Sequence, residues 1–402
     1  MKYDDIINVI WGATLMGGGG GGSMKNGLDM LHKYMADRHL TPENIFIVLL
    51  DPDDLDPDAY AAVTAGMGAP TAIKDVDFSV YATNAFNLLT EMAAQTGRKI
   101  TYSMAVELGG FNTFVPMLIS LVQQIPFVDT DGAARAVPAL NTLLLHVNGN
   151  DTSPLAMADG YDGTTECDKV TISLKDPKDA QMAELLGRDI LHDFGKNMSG
   201  LSGWMLKQDA IKKTLPANTV TLCQKIGTIL QDTVSEKFLR LRQLGIVECH
   251  EIARGQVTAG ETKQGAGFDY GYVEVTDQAS GKIFRVDFQN ENLVLSAGGG
   301  KIGQVVMTAP DVIACYDFDT NEPLTNADFF DEHGKLIPRR AVMGVIRVSD
   351  RWWDTGYAHV NSIWKEYFKN VGYAGDVIPY RKTAEEEAAA VKEGTAAVAA
   401  AE

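Results

Sequence analysis

The stretch LMGGGGGGSMKNG, Leu15 to Gly27, carries six consecutive glycines, Gly17 to Gly22, between two segments of helical apolar spacing. Glycine loses more conformational freedom on folding than any other residue, so such a run is expected where backbone must approach something closely. That neighbour is either a ligand or a tightly crossing piece of chain. Upstream, Ile6, Ile7, Ile10 and Leu15 recur at helix spacing; downstream, Met24, Leu28, Leu31 and Met35 do the same. The run therefore joins helix to helix.

Working outward, IFIVLLDPDD and AAVTAGMGAP read as strands closed by turn residues, the second at Gly66, Gly68 and Pro70. A helix over Ser79 to Thr96, a strand over Lys99 to Val106, a helix over Asn112 to Gln124 and a short strand over Pro126 to Val128 follow. Strands alternating with helices of this length predict an α/β N-terminal domain with a largely parallel sheet, residues 1–170. Pro177 to Leu244 reads as mostly helical. From Gly245 onward, GIVECHEIARGQV, FDYGYVEVTD, KIFRVDFQN, ENLVLSAGG, KIGQVVMTAP and DVIACYDFD are short alternating segments, the pattern of an antiparallel sheet. Residues 171–380 are thus expected to form a helical bridge and a β-rich C-terminal domain. The Ala/Glu-rich stretch 381–402 has no apolar stripe and reads as a low-complexity tail.

At 402 residues and 45% hydrophobic content the chain can bury more than one core. Acidic residues outnumber basic ones, 53 against 35, giving a formal charge of −18 with no Lys/Arg cluster. That balance argues against nucleic-acid and anionic-membrane partners. The four cysteines, Cys167, Cys223, Cys249 and Cys315, form no CxxC pair, and no apolar run reaches transmembrane length. The expectation is a soluble cytoplasmic protein with reduced thiols.

The glycines satisfy GxGxxG trivially, but the dinucleotide fingerprint needs a strand before it, and a P-loop needs Gly-Lys-Ser/Thr where this chain has Gly22, Ser23, Met24, Lys25. Two readings survive. Either Gly18, Gly19, Gly20 and Gly21 open a helix whose free N–H groups hold a carboxylate, or the loop packs under a neighbouring strand. A second constellation is VELGGFN, Val106 to Asn112, where a strand runs out at Glu107, glycines turn the chain and Asn112 can cap the next helix. Ligand crevices of parallel sheets lie outside the strands' carboxyl ends, and GMGAP and VDTDG end on the same edge. Glu107, Asp129, Asp131 and Arg135 would gather there. The carboxylates could serve as general base or as hard ligands of a divalent metal, and the arginine could clamp a substrate carboxylate; a structural turn holding an ion pair is the alternative. His146, in the apolar strand-like LLLHVNGN, is either a satisfied core residue or a proton donor. Asn290 and Glu291, in DFQNENLV, form a hairpin turn or line the domain interface.

The succession GATLMGGGGGG, GMGAP, ELGGFN, VDTDGAARAVP, SPLAMAD and VDFQNENLV resembles the S-methyl thiohydantoin desulfurase family over nearly the whole chain. The resemblance implies an α/β domain followed by a β-rich one, and association with hydantoinase/oxoprolinase-type proteins. It also implies removal of a methylthio group from an S-methyl thiohydantoin, giving the hydantoin and methanethiol, in catabolism of S-methylated ergothioneine. Where the family reads Asp-Gly-x-Gly-Arg-Ala-x-Pro-Glu, this chain has Ala134 before Arg135 and Ala139 after Pro138. The expected chemistry is water attack on the ring carbon with thiolate release. Glu107, Asp129, Asp131 and His146 are the catalytic candidates, and the first three are also candidate ligands of a divalent metal, zinc first. Gly18 to Gly21, Asn112, Arg135, Asn290 and Glu291 are the substrate-binding candidates. The expected partner is a small molecule bearing a carboxylate, with a homo-oligomer or a hydantoinase-like subunit as further company. A non-catalytic small-acid-binding partner of such an enzyme is the rival reading.

Overall fold

The computed structural model describes residues 1–68, 77–163, 170–191, 198–233, 235–265 and 268–381. Pro70, Cys167 and all but the first residue of the expected tail lie outside them. Helices α1 (Tyr3–Met16) and α2 (Met24–Asp37) flank the glycine run as expected. The strands β1 (Leu49–Leu50), β2 (Tyr60–Gly68), β3 (Ile100–Ala105), β4 (Phe127–Asp131), β5 (Leu155–Ala158), β6 (Thr171–Leu174) and β7 (Met198–Leu206) form one sheet in the order β1-β4-β3-β2-β7-β5-β6. The first four in that order run parallel, while β7, β5 and β6 join antiparallel. The fold class is the expected one, α/β with a parallel run at the heart of a mixed sheet.

The sequence reading is corrected at three elements. IFIVLLDPDD contributes only the two residues of β1 before Pro52 opens a 3-10 turn. LLLHVNGN is not a strand but contains one helical turn, α5 (Leu144–Val147). The stretch read as mostly helical holds β7, MSGLSGWML, which lies between β2 and β5. Every residue of β7 is buried, so it lacks the apolar/polar alternation that marks a half-exposed strand.

Helices α3 (Phe78–Gln95) and α4 (Phe114–Gln123) cover one face of this sheet. After α6 (Ala180–Ile190), α7 (Gln208–Thr214), α8 (Thr219–Leu230) and α9 (Lys237–Gln243), the chain enters an all-antiparallel sheet. Its strands are β8 (Cys249–Gly265), β9 (Phe268–Asp277), β10 (Ile283–Gln289), β11 (Glu291–Ala297), β12 (Gln304–Thr308), β13 (Val312–Asp317), β14 (Pro323–Leu324) and β15 (Arg340–Ile346), ordered β12-β11-β10-β9-β8-β15-β13-β14. Helix α10 (Tyr357–Asn370) closes the described fold.

The two sheets share cores. Val63 and Met104 of the first sheet pack in one cluster with Leu293, Val294 and Trp364, and α1 and α8 pack in another with Cys249, Val312 and Val342. Helix α1 buries Ile6, Val9, Ile10 and Ala13 within this second cluster, and Asp4 and Asp5 in its first turn suit the helix dipole. Because α1 ends between the sheets, the glycine run that follows it is delivered to their junction.

Candidate active site

A cavity of about 520 Å³ lies at that junction, within the range of small-molecule sites. Its wall is built from the glycine loop, from the carboxyl ends of β2 and β3, and from the Asn290–Glu291 turn between β10 and β11. The cavity thus lies on the carboxyl edge of the strands that the sequence marked.

The glycine loop does two things at once. Gly18, Gly19, Gly21 and Gly22 all have positive φ, a region L side chains avoid. Gly21 also crosses Gly109 backbone to backbone: a Cβ on Gly21 would stand 2.6 Å from the Leu108 carbonyl oxygen and 2.7 Å from Gly109 Cα. Most of the loop's carbonyls are engaged. Gly18 O accepts from Asn292 N–H and Gly19 O from Asn326 N–H, both at 2.8 Å, and Gly21 O accepts from the N–H groups of Phe111 and Asn112. The close-packing reading therefore holds, and Gly19, Gly20 and Gly21 also line the cavity. Gly18 does not reach it. The expected anion cradle at the opening of α2 is altered as well, because Ser23 caps that helix by accepting the Asn26 N–H.

Glu107 stands just past the end of β3, and only 6% of it is exposed. One carboxylate oxygen accepts from Asn112 Nδ2 at 2.6 Å and the other from Val137 N–H at 2.8 Å. Asn112 is thus not the cap of α4, which begins after Thr113; its amide is spent on the carboxylate. Burial raises the Glu107 carboxyl to about 7, against the opposing effect of those two donors. Glu291, at the start of β11, is 3% exposed, and its Oε2 has no hydrogen-bond partner among the described residues. Burial first, then the charge of Glu107, pushes its carboxyl well above the ordinary value. A Cβ on Gly20 would stand 2.5 Å from Glu291 Cδ, so the absent side chain at Gly20 is what admits this carboxyl. Asn290 also lines the cavity; its left-handed backbone turns β10 into β11, and its side-chain oxygen accepts the Asp269 N–H.

Four candidates fall elsewhere. Asp129 and Asp131 are two residues apart on β4, so both point to the same face, the one covered by α8. Asp129 accepts from the N–H groups of Val220 and Thr221 and from the Thr221 hydroxyl, capping α8. Asp131 is fully buried and accepts from the N–H groups of Ala133 and Ala134. Burial raises it to about 7. Arg135 is fully buried and donates to the carbonyls of Ala136, Pro310, Asp311 and Asn292. It ties the loop after β4 to the second sheet and leaves no fork for a substrate. His146, on α5, is half-buried outside the cavity, where burial lowers its pKa.

The metal set fails the same test. Glu107 faces the cavity while Asp129 and Asp131 face α8, and among the described residues no three His, Cys, Asp or Glu side chains are grouped to hold an ion. These residues do not fit the expected metal, and no step is drawn through one. Sequence reasoning passed over Arg188 of α6 and Lys25 of α2, both on the cavity wall. Arg188 pairs with Glu184 and stacks over the Phe268 ring at 3.9 Å. The basic residues of the LLGR and SMKN segments carry no motif, and Arg188 reaches the site because α6 packs beside β2 and the turn at Leu140–Thr142.

Two family models match the chain in succession. An S-Me-THD-like N-terminal domain matches residues 4–169, and an S-Me-THD-like C-terminal domain matches residues 178–337. The chain belongs to the S-Me-THD-like family. Ala134, before Arg135, has φ of 60°, a backbone conformation that favours glycine. Ala139, after Pro138, lines the cavity. A crystal structure of a protein from Chromobacterium violaceum, a structural-genomics target, has the same fold, with a TM-score of 0.77 at 23% identity over 95% of this chain and 99% of that one. No curated protein matches the chain. Among the described residues, no helix is long and apolar enough to cross a membrane.

Proposed function

We propose that this S-Me-THD-like protein is a hydrolytic desulfurase of a small S-methyl thiohydantoin or a related hydantoin-like cyclic amide. The observation that carries the reading is Glu107: a buried carboxylate at the cavity wall, held by Asn112 and Val137, with its pKa raised to about 7. A base is most effective when its pKa lies near the working pH, and burial brings this one there. Glu107 would take a proton from water as the oxygen attacks the ring carbon between the two nitrogens. The tetrahedral centre would then collapse by breaking the C–S bond.

A carboxylate on the substrate would be met by Arg188 and Lys25, which take over the role expected of Arg135. Arg188 is held against Phe268 and Glu184, so its guanidinium is already oriented at the rim. The test is thiol release from S-methyl thiohydantoin analogues with the chain alone. Turnover that drops at least ~100-fold in Glu107→Gln supports the assignment. Saturable binding of the analogue with no thiol released would instead support the rival reading, a small-acid-binding partner of a hydantoinase-like enzyme. An unchanged rate in Glu107→Gln would retire Glu107 as the base.

A further inference from the structure

Of the four glutamates on the cavity wall, Glu184 pairs with Arg188 and Glu332 is exposed; the other two, Glu107 and Glu291, are buried in differing surroundings. Glu107 accepts two strong hydrogen bonds, which favour its anion. Glu291 is equally buried, yet one of its oxygens has no partner among the described residues. An ionised, half-satisfied carboxylate in such a place is costly, whereas a neutral carboxylic acid is not. The charged groups bearing on Glu291 are Glu107 and Arg135, and Asp131 bears on Glu107 in turn. Asp269, Asp328 and Lys263 line the same cavity further out. Arg135 favours the anion of both glutamates, but its single positive charge cannot balance two carboxylates, and its donors are directed to backbone carbonyls. The backbone N–H groups of Gly21 and of Glu291 itself bear on the Glu291 carboxyl, but its Oε2 stays without a partner among the described residues, whereas both oxygens of Glu107 are bonded. Neighbouring carboxyls of this kind share one proton, and the one with an unsatisfied oxygen keeps it.

We propose that Glu291 is the acid of the reaction, a carboxylic acid that protonates the substrate's ring nitrogen while Glu107 deprotonates the attacking water. The inference rests on the hydrolytic reading above. In the first step the water oxygen bonds to the ring carbon, its proton goes to Glu107, and the C=N electron pair moves to nitrogen, which takes the proton of Glu291. In the second step Glu291 removes the proton of the new hydroxyl, the C=O bond forms, the C–S bond breaks, and the leaving thiolate takes the proton held by Glu107. Substrate and water give the hydantoin and methanethiol, and both glutamates return to their starting states. No oxidant or reductant is needed.

The experiment is thiol release against pH in wild type, Glu291→Gln and Glu107→Gln, with product binding followed by calorimetry. Glutamine is a neutral isostere of protonated glutamate, so Glu291→Gln is expected to fold and to bind the hydantoin within about threefold of wild type. Its kcat should fall at least ~100-fold. The alkaline limb of the profile should disappear and the acid limb of Glu107 should remain. Wild-type rate with both limbs intact in folded Glu291→Gln would overturn the proposal and leave the hydrolytic reading standing. No thiol release by wild type would overturn both. Should Glu291→Gln not fold, infrared spectra of Glu107→Gln labelled with carbon-13 glutamate decide. A protonated glutamic acid band persisting at neutral pH supports the proposal, and its absence overturns it.

Discussion

Gly21→Ala tests whether the glycine run exists for close approach or only for backbone shape. Gly21 has φ of +69°, and Gly97, at the end of α3, has nearly the same φ of +72°. A non-glycine residue in this left-handed region costs about 1–2 kcal/mol, so both alanine variants carry that penalty. Gly97 carries nothing else, since a Cβ there would have no atom within 4 Å. At Gly21 the new Cβ would stand 2.6 Å from the Leu108 carbonyl oxygen, about 0.8 Å inside ordinary contact, and the obstacle is backbone that no rotamer change can move aside. Overpacking of this kind costs about 1–3 kcal/mol. Gly21→Ala should therefore lose about 2–5 kcal/mol, and Gly97→Ala about 1–2. Urea unfolding followed by tryptophan fluorescence, with the two variants measured in parallel, reads the difference directly. The displacement would also reach Phe111 and Asn112, whose N–H groups bond Gly21 O, and through Asn112 it would reach Glu107. Equal destabilisation of the two variants would refute the close-approach argument.

The same reasoning makes Ala134→Gly stabilising by up to about 1 kcal/mol in the urea assay, because φ of 60° there suits glycine. Arg135→Lys cannot supply the four carbonyl acceptors with the guanidinium's fork, so it should lower stability by at least ~2 kcal/mol, with the loss read in the unfolding midpoint. Asp129→Asn should cost about 1–2 kcal/mol through the α8 cap, and His146→Gln should cost little; both should keep kcat for thiol release within about twofold, since neither side chain lines the cavity. Stability should also depend on pH. The folded state holds the Glu107 and Asp131 protons up to about 7, above their ordinary values of 4.5 and 3.8. The native state thus binds more protons than the unfolded chain across this window. Stability is fullest below pH 4 for these groups and falls as pH rises to 7, by about 3 kcal/mol for Glu107 alone. Urea midpoints that rise between pH 5 and 8 would contradict this.

How much was legible in sequence follows from the range of the interaction involved. The helix-glycine-helix entry, the β/α alternation and the later antiparallel run are written in local periodicity, which needs no partner to be read. Glu107 was legible because a strand ending in Glu-Leu-Gly-Gly must put its last residues on the carboxyl edge of the sheet. Strand β7 was not, since its burial on both faces comes from neighbours separated from it by up to about 140 residues. Asp129 and Asp131 were misread because spacing puts them on one face of β4 without saying which face the cavity takes and which α8 takes. Arg135 carries the right chemistry for a carboxylate, but its guanidinium closes on the carbonyls of Pro310 and Asp311. The sequence alone determined that a glycine loop would be pressed closely against something, because a run without side chains is expected where backbone must approach closely. Only the tertiary structure decided that the loop meets Gly109 on one side and Glu291 on the other. It thereby set a second buried carboxyl beside the first, since burial and pairing depend on chain segments that local patterns do not connect.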